Sequence, residues 1–296
     1  MNITLKQLQV FICTAQEKTI TAAAEKLFLS KPAVSMSLSE LEKQLGQPLF
    51  ERKNNRLFIN DLGKQLLPLA DEQIERSKLI STLFRNGTEL NGKLRIGASN
   101  TLGNHLLPLM LSDFRKQFEH QNQSLLIDNS QTISNQIKEY ELDIGLVEAN
   151  LFDSQLESIK WLKDEMVIVC CPDHPLCNKK YLNIEDLEAQ QWILREVGSG
   201  SRSFFLNQIG RKLSNYQISL ELKSTEAIIN STSAGLGIAC ISKVAARHAL
   251  ADKRLVQLTL NIDMHRDYWL IWHKDRYQSP LLKTFIDFSK QWKLPF

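Results

Sequence analysis

The 296-residue sequence predicts an α/β protein in three parts: a winged helix-turn-helix over residues 1–59, a long linker helix over 60–90, and two α/β lobes over 91–296. Three observations carry that reading. A composite helix-turn-helix pattern runs from Thr19 to Phe50, a single amphipathic helical stretch follows it, and beyond residue 92 short apolar runs alternate with helical periodicities.

Leu5, Leu8, Phe11, Ile12 and Ala15 recur at helical spacing and give a first amphipathic helix. Ala22, Ala23 and Ala24 before Leu27 make a second helix with a thin inner face, so that a third can cross it closely. Ser30 is the N-cap of that third helix, and Lys31 and Pro32 occupy its first turn, where the N–H that proline lacks would have no partner anyway. Val34, Leu38, Leu41 and Leu45 form its buried stripe, and Gly46 closes it. The opposite face, with Lys31, Ser35, Met36, Ser37 and Ser39, is small and mostly polar, a surface suited to base edges in a major groove. Glu51 to Ile59 reads as a β-hairpin wing turning at Asn54-Asn55, with basic side chains beside the phosphates. The expected DNA contacts are Thr21, Lys31, Pro32, Ser35, Met36, Ser37, Arg52, Lys53 and Arg56.

The Ala-Ala-Glu-Lys-Leu run, Ser-Lys-Pro-Ala-Val-Ser and the Leu-Glu-Lys-Gln-Leu-Gly-Gln-Pro-Leu-Phe-Glu-Arg block resemble the LysR-type transcriptional regulators of bacteria, and the resemblance extends along the whole chain. Family members commonly have Gln at the position of Lys31 and often Arg at that of Met36, which bears on the operator sequence rather than on the mode of binding. The resemblance implies an effector domain like a periplasmic solute-binding protein, self-association as a dimer or tetramer on double-stranded promoter DNA, and RNA polymerase as a further partner.

Asn60 caps the linker helix, whose apolar positions Leu62, Leu66, Leu69, Ala70, Ile74, Leu79, Ile80 and Leu83 would be exposed in a lone helix. Pairing with the same helix of a second subunit is expected to cover them. Pro68 should bend this helix without breaking it. Asn86-Gly87 and Asn91-Gly92 are turn signals that end the linker.

In the first lobe, Lys93–Ser99, Ser124–Asp128 and Leu142–Val147 read as strands, and Leu106–Phe118 and Gln131–Tyr140 as helices. A second set has strands at Glu165–Cys171, Trp192–Leu194, Ser219–Lys223 and Gly237–Ile241, with helices at Ile184–Glu188, Ser201–Lys212, Thr225–Ala234 and Lys243–Ala249. Strands at Leu255–Leu260 and Tyr268–His273 and a helix at Leu281–Trp292 close the chain. The alternation implies βαβ units on a mostly parallel sheet. With the strand at Tyr268 returning to the first lobe, lobe 1 takes about residues 91–162 and 267–296 and lobe 2 about 163–266.

In open α/β sheets ligands bind beyond the carboxyl ends of strands, where helix N-termini present free N–H groups. Ser99-Asn100-Thr101 lies at such a place, and so does Gly198-Ser-Gly-Ser-Arg202, whose glycines allow close approach and whose hydroxyls and guanidinium suit a small anion. The family's pocket draws on matching positions, so the expected effector residues are Ser99, Asn100, Thr101, Ser199, Ser201 and Arg202, with Glu148 and Thr225 beside them. Glu148 has three readings there: a partner for Arg202, a site for a cationic group, or an acceptor of hydrogen bonds. The Gly-Ser-Gly-Ser-Arg stretch looks most like members that sense sulfur-assimilation or carbon-dioxide-fixation state.

A formal charge of only +3 implies nothing by itself; what matters is that Lys31, Arg52, Lys53, Arg56 and Lys64 fall in one short region. No cofactor and no metal are expected: the five cysteines lack CxxC spacing and the six histidines are scattered. The cysteines read as buried thiols of a reducing cytosol, with a redox switch at Cys170, Cys171 or Cys177 as the alternative. With no export signal and no apolar run near about 18 residues, a cytoplasmic protein without membrane contact is expected. HExxH, GxxxxGK[ST] and GxSxG are all missing, which disfavours an enzyme. A solute receptor that lost its export signal would explain the lobes but not the first 90 residues.

Overall fold

The structure is a computed structural model, and it describes residues 2–83, 90, 92–149, 153–179 and 182–294. Three helices, α1 (Leu5–Glu17), α2 (Ile20–Leu27) and α3 (Lys31–Leu45), precede a hairpin of β1 (Phe50–Lys53) and β2 (Arg56–Ile59). Local chemistry sets each boundary. Thr4 and Gln7 form a capping box at α1, Thr19 accepts from the Ala22 N–H at α2, and Ser30 accepts from the Ala33 N–H at α3. Gly46 ends α3 at φ 73°, and Asn54 and Asn55 turn the wing at φ 51° and 59°, the double left-handed pair of a two-residue hairpin. Phe11, Val34, Leu38, Leu41 and Leu57 fill the core beneath.

Helix α4 (Asp61–Leu83) runs through Pro68 without interruption. Leu67, Ala70 and Ile74 are buried, whereas Leu62, Leu69 and Ile80 are exposed. The side chain of Leu83, the last member of the expected stripe, and the Asn86-Gly87 turn lie outside the described residues, as does Asn91.

Beyond the linker, β3 (Leu94–Ser99) lies parallel to β4 (Gln123–Asp128) and to β5 (Ile144–Val147). A π-helical turn at Leu102–Leu106 leads into α5 (Leu107–Phe118), and α6 (Ser130–Lys138) joins β4 to β5. The helix expected from Leu106 thus starts a turn earlier. The long β6 (Leu156–Cys170) pairs with β11 (His265–His273) along its first part and with β9 (Ala239–Ser242) and β10 (Val256–Leu258) along its last. The remaining elements are β7 (Gln191–Arg195), α7 (Gly200–Gln208), β8 (Gln217–Leu222), α8 (Thr225–Ser233), α9 (Lys243–Ala251) and α10 (Pro280–Gln291). The stretches read as helices at Ile184–Glu188 and near Lys212 are short 3₁₀ turns.

The expectation of a mostly parallel sheet needs correction. β11 is antiparallel to β5 and β6, and β9 and β10 are antiparallel to β6. Two chain segments that carry the backbone between the same two lobes in opposite directions must run antiparallel where they meet. The strand β6 also begins nine residues before the expected Glu165, in a stretch where Glu157, Lys160 and Lys163 interrupt any apolar alternation.

Lobe 1 also packs on the N-terminal module. Tyr140 is buried in the same apolar cluster as Phe11 and Leu57, its carbonyl accepts from Gln16 Nε2 at 3.2 Å, and Lys18 pairs with Glu139 at 2.8 Å. Arg276 reaches from the turn after β11 to Asp143 at 2.7 Å and to Asp71 of α4 at 3.3 Å. Among the described residues no helix is long and apolar enough to cross a membrane.

Candidate effector cleft and DNA-facing surface

On the N-terminal module, Thr21, Lys31, Pro32, Met36, Arg52, Lys53 and Arg56 are exposed, while Ser35 and Ser37 are half-buried along the same face of α3. Lys53 meets Glu51 at 3.4 Å with both side chains open to solvent, a pair weak enough to exchange for a phosphate. Phe28 carries no signal in the sequence that sets it apart from the apolar residues around it. It ends α2 in the left-handed conformation at φ 54° and is 95% exposed at the turn before α3.

Between the lobes, Ser99 at the end of β3 and Thr101 just after it come from lobe 1, and Ser199 and Ser201 at the start of α7 come from lobe 2; all four are buried. Glu148, which follows β5, lies at the centre. Its Oε1 accepts from the Thr101 N–H at 3.2 Å, and its Oε2 accepts from Ser201 Oγ and from Arg266 Nη1, each at 3.1 Å. Burial disfavours the ionised carboxylate, but Arg266 and the Thr101 and Ser201 donors outweigh it and hold Glu148 below the usual carboxylate range. Arg266 also donates to Ser201 Oγ at 3.2 Å and pairs with Asp164 at 2.7 Å, and its own affinity for a proton is raised by the two carboxylates against the opposing effect of burial.

A second buried pair adjoins it. Arg195 makes a forked contact to Glu196 at 2.8 and 3.0 Å and reaches Thr225 Oγ1 at 3.2 Å. Three contacts tie the lobes together nearby: Asn129 Nδ2 to Glu196, the Gln131 N–H to the Gly198 carbonyl, and the Thr225 N–H to Asn100 Oδ1. Gly200 is required by this approach, since a Cβ there would lie 2.6 Å from the Cβ of Glu148.

The structure assembles seven of the eight expected effector residues at this seam and places the eighth differently. Arg202 donates to the Arg195 carbonyl at 2.8 Å and to Glu221 at 2.5 Å, both within lobe 2, so the guanidinium beside Glu148 is that of Arg266. In the sequence Arg266 stands only at the expected boundary between lobe 2 and the returning part of lobe 1, and nothing local marks it as a ligand. Three hydroxyls, Ser99 Oγ, Thr101 Oγ1 and Ser199 Oγ, are buried with no hydrogen-bond partner among the described residues. Unpaired buried hydroxyls each cost about 1–3 kcal/mol, so three in one seam call for hydrogen-bond partners supplied by water or by a bound molecule. No cluster of His, Cys, Asp or Glu suited to a metal occurs among the described residues.

A winged helix-turn-helix joined by one long helix to two lobes with a polar seam defines a ligand-responsive DNA-binding regulator. The chain belongs to the LysR family of such regulators: residues 5–64 match the bacterial regulatory helix-turn-helix protein, lysR family, and residues 87–293 match the LysR substrate binding domain. It is 34% identical over 296 residues to the uncharacterized HTH-type transcriptional regulator YeiE of Escherichia coli, covering 100% of both chains. Its similarity to members tied to carbon fixation is seen in the probable RuBisCO transcriptional regulator of Thalassiosira pseudonana, 30% identical over 99% of this chain and 98% of that one. The CcmR regulatory domain of Synechocystis, solved in complex with 2-PG, superposes with a TM-score of 0.63 at 26% identity, over 68% of this chain and 96% of that one.

Proposed function

We propose that the inter-lobe seam binds a small oxyanion, and that this binding controls how the protein engages pseudo-palindromic promoter DNA through α3 and the wing. The observation that carries the reading is the trio of unpartnered hydroxyls beside Arg266 and the N-terminus of α7. Glu148 keeps its bond to Arg266, so the anion is held chiefly by the hydroxyls and the backbone N–H groups of α7. The complex of CcmR with 2-PG, a small anion, supports that chemistry. On this reading the protein is a cytoplasmic dimer of dimers, its two-fold paired recognition helices matching two-fold sites, with RNA polymerase as the downstream partner and no catalytic role.

The test is a thermal-shift series on the full-length chain with inorganic sulfate, phosphate and small carboxylates against chloride at equal ionic strength. A ligand that binds only the folded state raises the transition in a concentration-dependent way. At least one oxyanion should do so, and Thr101→Val and Ser199→Ala should each reduce the shift. If no oxyanion differs from chloride, the anion assignment falls while the DNA-binding reading stands.

A further inference from the structure

Cys170, the last residue of β6, and Cys177, in the 3₁₀ turn Pro175–Asn178, bring their Sγ atoms to 3.4 Å. That is about 1.4 Å longer than a disulfide bond, a gap that side-chain torsions can close. The approach is built by the backbone: the His174 N–H donates to the Cys171 carbonyl at 3.1 Å and the Cys177 N–H to the His174 carbonyl at 2.9 Å, folding the chain back over the end of the strand. Cys177 Sγ also lies 3.5 Å from the Cys171 carbonyl, whereas the sulfur of Cys171 points toward Gly235. The intervening segment is thus arranged so that Cys177, and not its neighbour, faces Cys170.

We propose that Cys170 and Cys177 form a reversible intramolecular disulfide on exposure to a hydroperoxide. Their unequal surroundings assign the order of events. Cys177 is half-buried and can meet a small solute, while Cys170 is fully buried against Val256 and Leu176. Burial, reinforced by Cys177, pushes the Cys170 thiol upward and keeps it protonated until needed. The Cys177 thiolate attacks the peroxide, the O–O bond breaks, and the departing hydroxide takes up a proton to leave water and a Cys177 sulfenic acid. The Cys170 sulfur then attacks the Cys177 sulfur, the S–O bond breaks, and the hydroxyl leaves with the Cys170 proton as a second water. Two thiols and one hydrogen peroxide become one disulfide and two waters, and a dithiol reverses the change by exchange. The staple would fasten the end of β6 to the turn within lobe 2, independently of the oxyanion seam.

The experiment treats full-length protein with a small excess of hydrogen peroxide and maps its peptides without reduction. The expected product is about 2 Da lighter than the reduced chain, links the peptides of Cys170 and Cys177, loses two of the five thiols to titration after unfolding, and reverts with dithiothreitol. Cys171→Ser should leave the linkage intact, and Cys177→Ser should abolish it while the Cys170 thiol survives. A disulfide through Cys171, a cross-link between chains, or sulfinic and sulfonic acids on Cys177 without any S–S bond would each overturn the proposal.

Discussion

Replacing Arg266 by methionine keeps most of the side-chain volume but leaves Glu148 and Asp164, both buried, without the cation they share. In the native seam the guanidinium stands 3.1 Å from Glu148 and 2.7 Å from Asp164. Removing one partner of a buried pair typically costs about 3–5 kcal/mol, because the remaining charge stays desolvated. Here both carboxylates keep other donors, Thr101 N–H and Ser201 for Glu148 and Ser242 for Asp164, so the lower end, about 3 kcal/mol at pH 7, is expected. The loss should also depend on pH with a definite sign. In the native protein the depressed Glu148 contributes stability that is present above its unfolded pKa of about 4.3 and vanishes as pH falls through its lower folded value. In the variant one carboxylate is pushed the other way, takes up a proton readily, and makes the penalty shrink toward acid pH. Urea unfolding of the full-length chain followed by tryptophan fluorescence, at pH 5 and pH 7, measures both quantities. Glu148→Gln alone and combined with Arg266→Met completes a cycle in which the coupling should exceed about 1 kcal/mol. A variant within about 1 kcal/mol of the native protein at pH 7, or a loss that does not change with pH, would refute the central role of this pair.

Three further outcomes are expected. Gly200→Ala should destabilise the closed seam by about 1–3 kcal/mol, read as a lower urea midpoint, because its Cβ would collide with that of Glu148 and with backbone beyond it; an unchanged midpoint would show that the lobes do not hold this approach. Arg56→Ala should weaken binding to all DNA sequences about equally and lower the salt slope by roughly one unit, whereas Ser35→Ala or Met36→Ala should alter sequence preference, and titrations at several salt concentrations that leave all three unchanged would remove α3 and the wing from the interface. Ile80→Lys, on the exposed side of α4, should lower the oligomeric state in sedimentation velocity by placing a charge in an apolar seam between subunits, and native sedimentation would contradict the helix pairing.

The DNA-binding module was legible in the sequence because its determinants are local. Ser30, Pro32 and Gly46 act within one turn of the backbone they terminate, and Asn54 and Asn55 supply the left-handed pair that a tight hairpin needs. The same holds for Ser99, Thr101, Ser199 and Ser201, which a strand end or a helix start announces. What local chemistry cannot supply is the identity of partners far apart in the chain. The sequence presents Arg202 in a Gly-Ser-Gly-Ser-Arg turn and gives Arg266 no local signal; the pairing of β7 with β8 sets Arg202 against Glu221, and the antiparallel pairing of β11 with β5 and β6 carries Arg266 to Glu148, 118 residues away. The packing of Tyr140 into the core of the N-terminal module is of the same kind. Periodicity and capping report on neighbours within a few residues, so they determined the elements and the hydroxyls that line the seam. Which buried charge neutralises which depends on desolvation in the assembled lobes, and that was decided by the tertiary structure alone.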